Sequence, residues 1–498
     1  MNQLELLTQQ NKSDSYLILT NAYPNPTSLY QNAFIHRRVK AYQKHNIDIK
    51  IFILSPTQTE KYEYVYDDVF VTRGNVHVLM WFLSEKKYTK ILIHFVKKNM
   101  IEAIKTCTPN TPLIIWIHGY EAETWHRRWF NYLEDTNALK TMISRVDYYK
   151  RQMEFINYLY QTKELNLTFI HVSKWFKESI AECDARIPTQ NSHIIPNFID
   201  SSVFKYTVKS SEHRFRILSI RPYASRKYAN DLSVKTVLEL AKRPYFKHLQ
   251  FSFWGDGEFF DSITKPLEKF RNVQINKGFL TQDEIARTHK EHGIFLCPTR
   301  LDSQGVSMCE AMSSGLVPIS TNVSAIPEFI EHNRNGLLSE PENPVHMANL
   351  IERLYYDQDL FLKLSKNATL DIKAKCDEEI VIKKELSLIK QEKSIPVEQQ
   401  LVFDHDYWFK RYCEMENQLL QILKMSLNAS EETEVENHIN ITTLQKKLRY
   451  FRNFKHSIDV TYLGKLAKLY IQIKKQLRLQ LKRLPILSQK LVFTIFRK

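Results

Sequence analysis

Asp302 and Glu310 stand eight residues apart in DSQGVSMCEAMSSGLVPIS, residues 302–320, on either side of Gly305. CPTRLD reads as the end of a buried strand, GVS as a turn and MCEAMSS as a helix start, which predicts Asp302 in a loop and Glu310 in the helix's first turn. Free N–H groups at a helix start attract phosphate, and two carboxylates beside them suit hydroxyls. Acids close to a diphosphate repel it unless cations intervene. SIRPYASRKY provides cations, with Arg221 ending a strand and Arg226 and Lys227 in the loop that follows. A forked guanidinium with a mobile ammonium clamps a diphosphate and needs no metal. Hydroxyls and a diphosphate together are what a nucleotide sugar carries. Taken alone, the two acids fit a plain helix cap equally well, and the cations fit a solvated loop.

Such groups converge only if strands deliver them to one edge. From residue 15 the apolar runs YLILTN, IDIKIFIL, KILIHF, PLIIWIHG, LTFIHVS and SHIIPN alternate with segments of helical period. That is the βαβ signature of a parallel sheet with helices on both faces. A second series follows IIPNFIDSSVF: FRILSIRP, HLQFSFWG, NVQINKG, GIFLCPT, LVPIS and GLL, with helices predicted near 229–242, 257–270, 282–291, 307–314 and 343–393. The expected fold class is α/β, with two doubly wound domains in series, residues 1–200 and 201–393, and a cleft between them as the default site. Residues 120–165 are aromatic, basic and helical, too long for a crossover, and read as an insertion over the first sheet's carboxyl edge. Glycine use makes the second domain the tighter site, because seven of the chain's ten glycines lie between residues 255 and 336.

Length and composition exclude several classes. A chain of 498 residues exceeds one ordinary core, so two domains and an appendage are expected. The start, MNQLELLTQQNKSDS, has neither the basic nor the apolar region of a secretory signal, and no apolar run approaches the ~20 residues that cross a bilayer; a cytoplasmic protein is expected. Six cysteines without CxxC spacing argue for free thiols rather than disulfides or zinc, and DHD at 404–406 lacks any supporting context, so no metal is expected. The net charge of +15 is concentrated in the tail, where residues 441–498 hold fifteen Lys or Arg against a single acid, Asp459. Within a helical basic tail, 400–498, residues 462–484 place Leu463, Leu466, Tyr470, Ile473, Leu477, Leu481 and Leu484 at three-four spacing among cations. Such a basic amphipathic helix suits an anionic membrane surface, reached through 462–498; packing on protein fits the spacing too, and nucleic acid fits the charge.

Further stretches lie in order around the paired acids: IPNFID at 195–200, WGDGEFF at 254–260, KGFLTQDEI at 277–285 and TNVSAIPEFIEHNRNGLL at 321–338. With them, residues 195–340 resemble the nucleotide-sugar half of the family 4 retaining glycosyltransferases, and residues 15–195 resemble the other half more loosely. The resemblance implies the GT-B fold of two facing Rossmann-like domains. It also implies a transferase that moves a sugar, with retention, from a nucleotide-sugar donor to a glycan or lipid-linked acceptor, with no metal and no other cofactor.

By the same resemblance Asp302, with the backbone around Gly305, Val306 and Ser307, engages the donor sugar, and Glu310 holds the ribose. Arg221 and Lys227 bind the diphosphate, and the loop at Gly278 and Phe279 contacts the base. His118 in WIHGYE matches the family's histidine near the transferred sugar. A donor phosphate oxygen then helps deprotonate the acceptor, so positioning and electrostatics carry the rate. Glu121, Arg127 and Arg128 in the insertion are candidates for the acceptor side. The implied setting is bacterial surface polysaccharide, capsule or lipopolysaccharide, made at the inner face of the cytoplasmic membrane; nucleic acid is not an expected partner. Three features depart from the family pattern: Asp302 stands where Glu is usual, Tyr228 follows Lys227 in place of glycine, and NAYPNPTSLYQNAF lacks the common glycine pair. The competing readings are a related epimerase or phosphorylase, and a non-catalytic scaffold or nucleic-acid binder acting through its tail.

Overall fold

Parallel strands buried on both faces carry unbroken apolar sequence, and runs of that kind build the first sheet. The computed structural model describes residues 15–390 except 27, 29, 30, 133 and 134, together with 414, 416, 417, 420, 421 and 423. Strands β1 (Ser15–Thr20), β2 (Asp48–Leu54), β3 (Tyr62–Tyr66), β4 (Val69–Gly74), β5 (Lys90–His94), β6 (Leu113–Ile117), β7 (Leu167–His171) and β8 (Ser192–Ile194) form one sheet. Their order is β3-β4-β2-β1-β5-β6-β7-β8. The apolar runs predict six parallel strands; the structure adds the β3–β4 hairpin, with β3 antiparallel at the edge. Its signal is Asp67-Asp68, whose φ angles of 45° and 60° are those a two-residue hairpin turn requires.

Helices α1 (Ala33–Gln43), α2 (Val76–Glu85) and α3 (Lys98–Cys107) cover this sheet. The side chain of Asn75 starts α2 by accepting from the backbone of His77 and Val78 at 3.0 and 3.1 Å. The insertion is a broken run: 3-10 turns at Tyr120–Ala122 and Trp125–Asn131, then α4 (Thr136–Ser144) and α5 (Val146–Gln161). The short α6 (Glu182–Ala185) precedes β8.

The second sheet holds β9 (Arg216–Ile220), β10 (Gln250–Gly255), β11 (Val273–Lys277), β12 (Ile294–Leu296), β13 (Val317–Thr321) and β14 (Leu337–Ser339). All are parallel, in the order β11-β10-β9-β12-β13-β14. Its helices are α7 (Asn230–Leu240), α8 (Phe260–Thr264), α9 (Gln282–Glu291), α10 (Val306–Ser313), α11 (Pro344–Tyr356), α12 (Gln358–Cys376) and α13 (Glu378–Lys390). The helical stretch expected over 343–393 is therefore three helices. It breaks at Asp357, whose side chain caps α12 by accepting from Leu360 N, and at Asp377, which precedes α13.

The last of these helices packs on the first lobe. Val381, Ile382, Leu386, Leu388 and Ile389 of α13 are buried in the first lobe's core with Ile18, Val39 and Tyr42. At the centre of that contact Glu385, 0% exposed, accepts from Arg38 Nε at 3.1 Å, Tyr42 Oη at 2.5 Å and Trp116 Nε1 at 3.4 Å. The tail helix predicted at 462–484 lies outside the described residues. Replacing Glu385 with Ala leaves the Arg38 charge buried and unpaired, which costs about 3–5 kcal/mol. Urea unfolding of Glu385→Ala is expected to show that loss, and a change below about 1 kcal/mol would mean that α13 is held by apolar packing alone.

Candidate functional site

In the second sheet β9 is central, the chain winding outward to β10 and β11 on one side and β12 to β14 on the other. Loops leaving β9 and β12 diverge, and the crevice between them is where such sheets bind ligands. Arg221 follows β9 directly, and residues 299–305 follow β12. Only 4% exposed, Arg221 donates from Nη1 to Ser307 Oγ at 2.9 Å and places Nη2 3.9 Å from Asp302 Oδ2. Asp302 Oδ1 accepts from the backbone of Gln304 and Gly305 at 3.2 and 2.7 Å, folding the turn into α10. Gly305 closes that turn at φ 79°, a conformation that a residue with a Cβ adopts only under strain. Val306 and Ser307 then open α10 with free N–H groups.

Glu310 lies fifth in α10, just beyond the first turn expected for it, because the helix already starts at Val306. Its buried carboxylate makes no hydrogen bond among the described residues; 3.8 Å away is Arg37 Nη1, reaching across from α1 of the first lobe. Burial pushes the Glu310 carboxyl up to about 7, against the opposing pull of Arg37.

Lys227 owes its place to Arg300, a residue that no motif singles out. Arg300 N and Thr299 Oγ1 donate to Lys227 O at 2.7 and 2.9 Å, and Arg300 Nη1 donates to Arg226 O at 2.8 Å. The rest of the Arg300 guanidinium is shared between Asp231 and Glu342 at 2.7–2.9 Å. The Lys227 ammonium lies 4.7 Å from the Tyr228 ring centre, and no acid pairs with it among the described residues. Glycine spares room for this loop: a Cβ on Gly257 would come within 2.3 Å of Ala224 N, so WGDG serves as a close-packed turn. Gly278 and Phe279 follow β11, two strands out from β9, and Phe279 is 62% exposed.

The first lobe offers His118 at the end of β6. Its Nε2 lies 2.9 Å from His94 Nδ1, and Phe34 and Phe95 pack on the ring with centroids 4.9 Å away. Burial, helped by Arg38, holds it well below the usual imidazole range, so the ring is neutral. Glu121, 2% exposed, accepts from the backbone of His118 and Gly119 at 2.5 and 3.0 Å, and burial pushes it up to about 7. Arg127 Nε donates to both oxygens of Asp184 at 3.1 and 2.8 Å, and Arg128 Nε to Glu123 at 2.8 Å. Glu121, Arg127 and Arg128 thus all make folding contacts within the first lobe.

Contacts between the lobes bring these groups together. Ser303 Oγ donates to His118 O at 3.0 Å, and Asn131 Oδ1, in the insertion, accepts from Ser225 Oγ and Arg226 N at 3.1 and 3.2 Å. Gln304 clasps Asn197 with three hydrogen bonds of 2.7–2.9 Å. Arg37, Asn131 and Gln304 are polar residues in unremarkable sequence, and only their cross-chain partners mark them. Among the described residues no cluster of three or more His, Cys, Asp or Glu is placed to hold a metal, and no helix is long and apolar enough to cross a membrane. DHD at 404–406 lies outside them.

Residues 214–357 match a family model described as glycosyl transferases, group 1. Over 159 residues the chain is 26% identical to the sulfoquinovosyl transferase of Arabidopsis thaliana, covering 31% of each chain. Over 144 residues it is 29% identical to the poly(ribitol-phosphate) alpha-N-acetylglucosaminyltransferase of Staphylococcus aureus, covering 28% of this chain and 29% of that one. The chain therefore spans about a third of the length of these curated relatives. Sucrose-phosphate synthase from Thermosynechococcus elongatus superposes with a TM-score of 0.58 at 13% identity, over 76% of this chain and 98% of that one. That likeness concerns the fold alone, two facing Rossmann-like lobes of the GT-B type.

The raised carboxyls have a consequence for stability. A carboxyl whose folded value is lifted from 4.5 to about 7 favours folding fully below about pH 4.5 and loses that contribution as pH rises through 7. Glu310→Gln removes one such group. Thermal unfolding followed from pH 4 to 9 is expected to show wild type losing ground to the variant between about pH 4.5 and 7, with no further change above; parallel curves would show that Glu310 titrates normally.

Proposed function

We propose that this chain, a GT-B protein related to the group 1 glycosyltransferases, moves a sugar from a nucleotide-sugar donor to a glycan or lipid-linked acceptor with retention of configuration. One observation carries the reading. Arg221, Lys227, Asp302 and Glu310 converge at the carboxyl ends of β9 and β12, and the Asp302–Gly305 turn is bonded through Ser303 to the His118 loop of the facing lobe.

In this reading the diphosphate lies against Arg221, Lys227 and the first N–H groups of α10. Glu310, without a hydrogen bond among the described residues, accepts from the ribose hydroxyls, and their donation repays part of its desolvation. Asp302 and His118 flank the transferred sugar from opposite lobes. As the anomeric C–O bond breaks, negative charge builds on the departing phosphate, where a buried guanidinium and an unpaired ammonium are already in place. The acceptor oxygen bonds to the anomeric carbon on the same face, and its proton passes to a phosphate oxygen of the leaving nucleotide. His118, held neutral below the usual range, is not required as a base.

The name of the Staphylococcus relative, with poly(ribitol-phosphate) as its substrate, suits a surface-polymer setting. We place the reaction at the inner face of the cytoplasmic membrane, with residues 462–498 adhering to anionic lipid.

Calorimetry with UDP-, GDP- and ADP-sugars, without added metal, tests the donor site. One nucleotide class is expected to bind, at least tenfold more weakly in Glu310→Ala, the loss of a charged hydrogen bond of about 1.5–3 kcal/mol. Arg221→Ala is expected to lower kcat on the order of 100-fold. A folded wild type that binds none of the three would overturn the proposal, and NMR of the product linkage would reject retention if the anomeric configuration inverts. Flotation with anionic vesicles is expected to carry the full chain upward and to leave a chain ending at residue 461 behind, since each basic residue contributes about 1 kcal/mol at such a surface.

A further inference from the structure

His94 closes β5 at the centre of the first sheet, beside β1 and β6. Its ring is 0% exposed, stacked on Trp116 at 4.6 Å with an interplanar angle of 24°, and nearly coplanar with His118, at 16° and a centroid distance of 5.1 Å. His94 Nδ1 meets His118 Nε2 at 2.9 Å, while His94 Nε2 is buried without a hydrogen-bond partner. Among the described residues His118 Nδ1 has no hydrogen-bond partner, and His118, unlike His94, is only partly buried.

Two arrangements satisfy the short contact. If His118 Nε2–H donates, then His94 must carry its own proton on Nε2 as a buried, unpartnered N–H. If His94 Nδ1–H donates, the unpartnered atom is a bare lone pair. Orphaned buried donors are much rarer than under-used acceptors. Burial, with the Arg38 guanidinium, disfavours the protonated form of either ring, so the choice lies between these two neutral arrangements. A ring nitrogen's partner decides where the other nitrogen's proton goes.

We propose that His94 is a positioning residue that holds His118 as the neutral tautomer protonated on Nδ1, presenting a hydrogen-bond donor to a hydroxyl of the transferred sugar. This rests on the reading above that His118 faces that sugar. A donor suits the role better than an acceptor, since Asp302 across the cleft already accepts. The pair also keeps His118 Nε2 engaged, so the ring cannot turn to offer a lone pair to the acceptor hydroxyl.

The test uses the full chain with 15N-labelled histidine. In wild type, His118 is expected to show a protonated Nδ1 and a bare Nε2 from about pH 5.5 to 8.5. His94→Asn, whose amide N–H can still reach Nε2, is expected to keep that signature, and His94→Phe, which keeps only the stacking, to lose it. In sugar transfer, His94→Phe is expected to lower kcat about tenfold, equivalent to about 1.4 kcal/mol, with donor KM changed less than about twofold, and His94→Asn to recover most of the rate. A wild-type His118 protonated on Nε2 overturns the proposal, as does a His94→Asn no better than His94→Phe. If wild type transfers no sugar, the enzymatic reading fails while the spectra still decide the tautomer. If His94→Phe does not fold, wild type and His94→Asn decide it alone.

Discussion

The buried carboxylate of Glu385 is the contact on which much of the architecture depends. It binds Arg38, whose Nη2 donates at 3.1 Å to Asn197 in the segment joining the lobes, and Asn197 is in turn clasped by Gln304 of the donor loop. One hydrogen-bonded line therefore runs from the last helix through α1 and the interlobe segment to the turn that carries Asp302. A buried ion pair contributes little net energy compared with apolar packing, but it demands a defined geometry. Here that geometry sets where the two carboxyl edges meet. The same Arg38 charge also reaches His94 and His118 and helps keep both imidazoles neutral.

Two other buried carboxylates show how folding and binding divide the same chemistry. Glu121 gives both oxygens to backbone N–H groups and so fixes the loop that carries His118. Glu310, raised to a similar degree, has only a distant guanidinium for company. A group that is desolvated yet left without hydrogen bonds weakens the fold, and such groups are retained where a ligand completes them. The contrast separates a structural acid from a binding one better than burial does. Likewise the Arg300 cluster is paired and structural, whereas the neighbouring Lys227, which it positions, meets no acid among the described residues.

Most of the strand framework was legible because parallel strands buried on both faces leave continuous apolar runs whose ends are marked by turn residues. Arg221, Asp302 and Gly305 could be placed at strand ends for the same reason. The β3–β4 hairpin escaped because YEYVY lies exposed at the sheet's edge and VFVTRG beside it mixes buried with exposed positions, so the apolar signal is diluted. Glu310 moved one residue along its helix, out of the first turn, because a helix start depends on the φ of Gly305, which a one-letter pattern does not carry. The ion pairs of Arg127 with Asp184 and Arg128 with Glu123 were not legible, because those acids are not recognisable as partners before the insertion folds.

By itself the sequence determined the two α/β series, the strand ends that bear the chemistry, and the concentration of charge in the tail, since each rests on local periodicity or composition. Tertiary structure alone decided that α13 returns to the first lobe, that Arg37 faces Glu310, that Arg300 holds the Lys227 loop and that His94 backs His118. Those pairings join residues brought together by the crossing of strands and helices, and their energy exists only once water has been excluded between them. An arginine or histidine in a one-dimensional string has no burial and no partner, so the physical terms that give these residues their roles are absent until the chain has folded.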